Sequence, residues 1–324
     1  MLTGHDVAAL LSIDECIAAV EHAFKLHGEG STQPPGILSV HARAGGFHIK
    51  AGLLDLNRSY FAAKVNANFP ENAERYGLPM IQGVVVLCNA ENGYPLALID
   101  SIEITIQRTG AATGVAAKHL ARSDSKIATI CGCGNQGRIS LRALTKVLPI
   151  AKVWAYDNDQ GQAQRFASEL GPELRIDIEV VADLETAVRQ SDLCVTCSPS
   201  KQPFLKQDFV SPGTFVAAVG ADNPEKQELE PALLGRSKLV VDLLEQCATI
   251  GELHHAIESG VMTSADAYGE LGEVIAGVKH GRTSPDEIII FDSTGMALQD
   301  VVTAAAVYEK ALKQGTGTLM NFAR

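Results

Sequence analysis

The spacing of apolar residues divides the chain into stretches with different periods. Near the start, Ser12 stands three residues before Glu15 and just ahead of CIAAVEHAFKLHGEG. That pair reads as a capping box. Ile17, Val20, Ala23 and Phe24 then recur at helical spacing until Gly28 and Gly30 end the run. From Ser39 to Asp100 the period shortens. FHIKAGLL, YFAAKVNANF, QGVVVLCNA and YPLALID are short apolar or alternating runs, and Asn92–Gly93 reads as a hairpin turn between the last two. This part predicts a mixed, mostly antiparallel domain.

The pattern changes at about Thr105. TIQRTGAATGVAAKHLA is an alanine-rich helix, and KIATICGCG is a strand that runs into glycines. Helix RISLRALTKVL, strand KVWAYD, helix QAQRFASEL, strand IDIEVV, helix LETAVRQ and strand LCVTC follow in alternation, with FVAAVG and KLVVDL as later strands. Apolar strands alternating with amphipathic helices predict a parallel sheet covered on both faces. The closing helix, MALQDVVTAAAVYEKAL, is expected to return to the first domain. The domains predicted are therefore 1–118 with 300–324, and 119–299.

Composition narrows the function. A chain of 324 residues that is 46% hydrophobic can bury one large core and has room for two. A net charge of -11 argues against a nucleic-acid backbone as partner. No run is long and apolar enough to span a bilayer, and MLTGHDVAALLSIDE carries acidic residues where a signal peptide has a basic leader. The seven cysteines are odd in number and lack a framework of spacings. A reduced, cytoplasmic protein is expected. Cys131 and Cys133 sit in a glycine turn with no second pair behind them, so no metal is expected. His254 and His255 read as a helix surface.

The sharpest local signal is TICGCGNQGRISLRAL, Thr129 to Leu144. Gly132, Gly134 and Gly137, with Asn135 and Gln136 among them, follow a strand and open a helix. The first glycine permits the tight turn, the second lets phosphates approach the backbone, and the third lets helix and sheet pack closely. The helix N-terminus then favours the pyrophosphate charge. Asp157 lies twenty residues beyond Gly137, at the end of the next strand, where it would accept the adenosine ribose hydroxyls. With Asp159 close by and no arginine beside them, NAD is expected rather than NADP. The ends of later strands, Thr196–Ser198, Val219–Asp222 and Asp242–Leu244, should line the nicotinamide half, with Ser198 and Val219 as contacts. Asp222 has two readings: a group at the sheet edge beside the cofactor, or a loop aspartate capping the turn with Asn223–Pro224.

The first domain offers cations on apolar strands. Lys64 lies in YFAAKVN, Lys50 in GFHIKAG and Arg108 in QRTG, with His48 two residues before Lys50. A lysine in an apolar strand costs desolvation unless an anion meets it. A substrate carboxylate serves, and so does a structural salt bridge. An arginine is the better carboxylate fork, because its planar guanidinium binds both oxygens.

These residues resemble the ornithine cyclodeaminase/mu-crystallin family over nearly the whole chain. KVNANFPEN, NGYPLALIDS, QRTGAATGVAAKHLAR, GCGNQG, VGADNPEKQEL and GELGEVIAG carry the resemblance. It implies an α/β protein with a Rossmann-type domain and a mixed, mostly antiparallel α+β domain for substrate binding and dimerisation. It implies NAD-dependent chemistry at the α-carbon of a small amino or imino acid, in a homodimer. The family's active-site lysine falls on Lys64, its carboxylate-binding arginine on Arg108, and the aspartate of the cyclodeaminase and alanine dehydrogenase branches on Asp222. One departure stands out. The arginine the family places after a QPP-like element is Gly36 here, and Lys50 and His48 are the candidates to replace its charge. The expected reaction is that of an amino-acid dehydrogenase or imino-acid reductase. Ornithine cyclodeamination, with NAD returned unchanged, and cyclic-imine reduction are the alternatives. A cyclodeaminase needs a carboxylate for the distal ammonium, and Glu71, Glu74 and Glu103 are candidates by location.

Overall fold

The computed structural model describes residues 1–320, which divide into two compact units. The first runs from Met1 to Arg108 and resumes at Met296, and the second is Thr109–Gly295. The change of unit thus falls at 108, inside the alanine-rich helix, and at 296, just ahead of the closing one.

The first unit opens with helices α1 (Gly4–Leu10) and α2 (Ile13–Gly28), each started by a capping box, Thr3 with Asp6 and Ser12 with Glu15. Strands β1 (Gly36–Ala42), β2 (Gly45–Asp55) and β3 (Ser59–Asn68) follow, then a short helix α3 (Asn72–Tyr76), β4 (Ile81–Asn89) and β5 (Pro95–Asp100). They form one sheet in sequence order, antiparallel throughout. Gly93 takes φ 75° in the turn between β4 and β5, a conformation that favours glycine. Alternation along the strands separates two faces. Leu54, Tyr60, Ala62, Val85, Leu87 and Ile99 are buried on one, while Ala51, Leu53, Phe61, Ala63, Val65, Val84, Val86 and Leu98 are half-buried on the other. Helix α4 (Ser101–Leu120) carries the chain into the second unit.

There, β6 (Ile127–Cys131), α5 (Asn135–Val147), β7 (Lys152–Tyr156), α6 (Gln160–Leu174), β8 (Asp177–Val180), α7 (Leu184–Arg189), β9 (Leu193–Thr196) and β10 (Phe215–Ala218) alternate as the sequence predicts. Helix α8 (Pro231–Gly235), β11 (Lys238–Val241), α9 (Leu244–Ile250), α10 (Glu252–Glu258), β12 (Gly269–Glu270), α11 (Leu271–Ile275) and β13 (Ile289–Asp292) complete it. The eight strands lie in the order β12-β11-β13-β10-β9-β6-β7-β8, all parallel. This is a doubly wound, Rossmann-type sheet, and its order reverses between β6 and β9. The small residues of α4 serve close packing. A Cβ at Gly110 would lie 2.6 Å from the side chain of Ile139 on α5.

The closing helix α12 (Ala297–Gln314) belongs to the first unit. It packs on the buried sheet face so closely that a Cβ at Gly52 would come within 3.0 Å of Leu298. Lys310 pairs with Glu15 at 2.5 Å, and Tyr60 donates a hydrogen bond to Glu309. All seven cysteines are free thiols. Among the described residues no helix is long and apolar enough to cross a membrane.

Candidate active site

In the second unit the glycine turn has the form its sequence predicts. Gly132 takes φ 104°, and a Cβ there would stand 2.8 Å from the Cys197 carbonyl oxygen. A Cβ at Gly137 would lie only 2.1 Å from the Gly132 oxygen, so the start of α5 is pressed against the turn. Gly134 differs. It is the N-cap of α5, supplies no side-chain cap, and a Cβ on it would meet nothing nearer than Gln162 Nε2 at 3.8 Å. Uncapped N–H groups with open space beside them, and no acidic residue in the first turn, suit an anion. Asn135 and Gln136 open the helix, and the Gln136 Oε1 is buried without a partner. Asp157 follows β7, and its two oxygens accept the N–H groups of Cys133 at 2.8 Å and Asp159 at 2.9 Å. It therefore ties the glycine turn to the next strand, and each oxygen keeps a further lone pair. One expectation is corrected here. An arginine does stand beside this pair, because Arg165, in the second turn of α6, reaches Asp159 at 3.7 Å.

The later strand ends are joined by Glu228, a carboxylate that nothing in the local pattern marks. Ser198 donates from both N and Oγ to Glu228 Oε1, at 2.6 and 2.7 Å, and Gly220 N donates to its Oε2 at 3.0 Å. Glu228 is fully buried, and burial pushes its carboxyl up despite these donors. Val219 lies between, its N–H bonded to the Thr196 carbonyl at 2.9 Å. Asp242 is engaged internally by Leu243 N, Thr294 Oγ1 and Gly295 N. Asp222 lies in an exposed loop beyond β10 and accepts from Lys226 Nζ at 2.7 Å, while Asn223 caps the turn by accepting Glu225 N at 3.0 Å. His254 and His255 are on α10. With Glu258 their ligating atoms lie within 4.8 Å of one another, and His255 Nε2 is bonded to the Lys226 carbonyl at 2.7 Å.

In the first unit the predicted cations converge. Lys64 on β3 and Lys50 on β2 are direct cross-strand partners, 3% and 8% exposed. Like charges placed opposite each other destabilise a sheet unless something offsets them. The offset is Asp300, 1% exposed in the first turn of α12. Its Oδ1 accepts from Lys64 Nζ at 2.9 Å and lies 3.3 Å from Arg108 Nε. Lys64 also donates to Thr105 Oγ1 at 3.3 Å, and Arg108 donates to Gln299 Oε1 at 3.1 Å. Burial is the strongest influence on Lys64 and drives its ammonium down. Asp300 opposes this while Arg108 and Lys50 add to it, and the group settles at about 7. Burial pushes the Asp300 carboxyl up, but Lys64 and Arg108 outweigh it and hold the group below its ordinary value.

Several buried atoms here have no hydrogen-bond partner: Asp300 Oδ2, Arg108 Nε, Gln299 Nε2 and, on the Lys64 face of β3, Asn66 Oδ1. Each such group costs about 1–3 kcal/mol, and a polar ligand is what would satisfy them. His48 shares the face of Lys50 and meets Ser39 Oγ at 3.3 Å. Gly36 pairs with Ala51, so a side chain there would start on the opposite face from Lys50. Glu71 is paired with Arg75 at 2.7 Å, Glu103 accepts from Gln107 at 2.8 Å, and Glu74 is exposed on α3.

A family model described as ornithine cyclodeaminase/mu-crystallin matches residues 1–315. The chain belongs to that family. Alanine dehydrogenase of Archaeoglobus fulgidus is 40% identical over 326 residues, covering 100% of this chain and 98% of that one. Among solved structures, an archaeal alanine dehydrogenase dimer with bound NAD superposes with a TM-score of 0.94 at 41% identity, covering 99% of this chain and 98% of that chain. Δ1-pyrroline-2-carboxylate reductase of Thermococcus litoralis, in complex with NADH and L-proline, gives 0.93 at 36% identity, covering 98% and 99%. The family stretches quoted from the sequence include Lys64, Arg108 and Asp222. They do not include Asp300 or Gln299, which only the packing of α12 on the sheet brings into the group.

Proposed function

We propose that the protein is an NAD-dependent oxidoreductase that interconverts a small 2-amino acid and its 2-imino acid, as an amino-acid dehydrogenase or imino-acid reductase. The observation that carries this reading is the buried group of Lys64, Arg108 and Asp300 with its unpartnered atoms. Kinship to alanine dehydrogenase and to a pyrroline-carboxylate reductase supports the same chemistry. The turn at Gly132, Gly134 and Gly137 fits the pyrophosphate of NAD, and Asp157 fits the ribose hydroxyls. NAD, when bound, supplies the acceptor or donor for the hydrogen that leaves or reaches the α-carbon as hydride. Arg108 takes the substrate carboxylate in its guanidinium fork. Lys64 stabilises charge on the group that reacts. Asp222 carries the proton of the nitrogen, as acid in reduction and as base in oxidation. In oxidation, water then adds to the imine carbon and ammonia leaves, giving the 2-oxo acid. In reduction, ammonia condenses with the 2-oxo acid and water leaves before the α-carbon is reduced. Glu71 and Glu103 are already engaged within the first unit, which favours this reading over cyclodeamination.

The assay is coenzyme absorbance. NADH should be consumed with one of pyruvate, glyoxylate or oxaloacetate only when ammonia is present. Loss with cyclic imines alone would move the protein to the cyclic-imine reductases, and ammonia from ornithine without net coenzyme change would make it a cyclodeaminase. Asp222→Ala should lower turnover by roughly 10²–10⁴-fold and leave coenzyme affinity unchanged. Equal losses in both would remove Asp222 from the proton step.

The half-buried apolar face of the sheet, from Ala51 to Leu98, supports a homodimer formed through it. Light scattering should then give twice the 34.4 kDa of one chain, and a monomer mass would contradict this. The free thiols suit a reducing compartment, and we place the protein in the cytoplasm.

A further inference from the structure

We propose that Asp300 is the positioning residue of this site, its buried carboxylate holding the Lys64 ammonium and the Arg108 guanidinium side by side against their mutual repulsion. This role presupposes that Lys64 and Arg108 hold the substrate, as proposed above. The geometry points to it in three ways. First, one oxygen, Oδ1, faces both cations, at 2.9 Å and 3.3 Å, so a single atom fixes their separation. Second, the neighbouring residue Gln299 accepts from Arg108 at 3.1 Å, so consecutive residues in the first turn of α12 grip the same guanidinium. Third, Asp300 Oδ2 stays buried and unpartnered. A buried ion pair is weak evidence for stability, since apolar residues of similar volume often do as well. A pair left with an unsatisfied oxygen is a still poorer stabiliser, so stability alone does not explain the arrangement.

The charged groups around Lys64 come from three elements. Lys50 faces it from β2, Thr105 and Arg108 from α4, and Asp300 from α12. Its partner on β4 is the apolar Val85. On the Arg108 side, the Cys16 thiol of α2 is pushed up by burial to about 12 and stays neutral. Asp300 is thus the carboxylate that keeps Lys64 protonated near neutral pH, against burial and two like charges. A protonated Lys64 is the form that stabilises an anion, so kcat/KM falls as pH rises through its titration.

The test compares Asp300→Asn, Asp300→Glu, Lys50→Met and Lys64→Met. One readout is the pH profile of kcat/KM. The other is the titration of Lys64 by NMR of 13C-lysine protein, its resonance assigned by its loss in Lys64→Met. Asp300→Asn keeps the shape and removes the charge. Its falling limb and its Lys64 titration should both move to lower pH, by roughly one to three pH units, with coenzyme affinity unchanged. Asp300→Glu, which keeps the charge, should restore part of the displacement. Lys50→Met removes a like charge and should move both readouts to higher pH, which keeps the idea testable even where Asp300→Asn fails to fold. An unmoved limb and an unmoved Lys64 titration in the Asp300 and Lys50 variants would overturn the positioning role. Full activity in Lys64→Met would overturn the role of Lys64 itself, a different failure from that of Asp300.

Discussion

Replacing Lys64 by methionine lowers kcat/KM by about 10²–10³-fold and leaves NAD affinity intact. Methionine preserves most of the volume in a position that is 3% exposed, so the surrounding packing is little changed. What is lost is the ammonium 2.9 Å from Asp300. Asp300 then retains Arg108 as its counter-charge, so the protein is expected to fold, with a lower melting temperature. How the loss divides is informative. A rise in KM alone would mean that Lys64 grips the ground state and transition state equally, whereas a fall in kcat would mean that it acts on charge that develops during reaction. Steady-state kinetics with coenzyme titration in parallel measure both. Wild-type kcat/KM in the variant would remove Lys64 from the site.

The second large effect separates two glycines of one turn. Gly137→Val places its Cβ 2.1 Å from the backbone oxygen of Gly132, and no rotamer moves a Cβ. The backbone must shift, at a cost of about 1–3 kcal/mol or more, and the phosphate cradle shifts with it. Thermal melting should fall clearly, and coenzyme affinity should be lost. Gly134→Ala meets nothing nearer than 3.8 Å in the protein, so its melting temperature should stay close to that of the parent. Its methyl group occupies the open space at the start of α5, so coenzyme affinity should still fall. A Gly134→Ala protein with unaltered NAD affinity would show that the pyrophosphate does not approach there.

Local pattern carried much of this fold. The capping box at Ser12, the antiparallel runs of the first unit and the strand–helix alternation from Lys126 to Thr196 are set by neighbours in sequence, and they stand where the periodicity places them. Strand β13, IIFD, was missed, although it lies between β10 and β11 in the middle of the sheet. Three apolar residues and an aspartate, all buried, have no alternation to read, and they follow a long irregular stretch. The site divides the same way. Lys64, Lys50 and Arg108 announce themselves as charges in apolar segments. Asp300 sits in MALQDVVTAAA, where an aspartate in the first turn of a helix has an ordinary explanation in the helix dipole. Its partners lie 236 and 192 positions away in sequence, so only packing reveals them. Glu228 was hidden for the same reason, because the backbone N–H groups that hold it lie at the ends of two other strands.

The most direct test of the central claim follows the hydrogen itself. NADH deuterated at the transferring position of nicotinamide C4 would be incubated with the protein, ammonia and the 2-oxo acid that supports turnover, and the amino acid recovered for mass spectrometry. Reduction at the α-carbon predicts one deuterium bonded to Cα and a matching amount of NAD formed. An amino acid free of label, or ammonia released from ornithine while the labelled coenzyme is neither consumed nor formed, would contradict it.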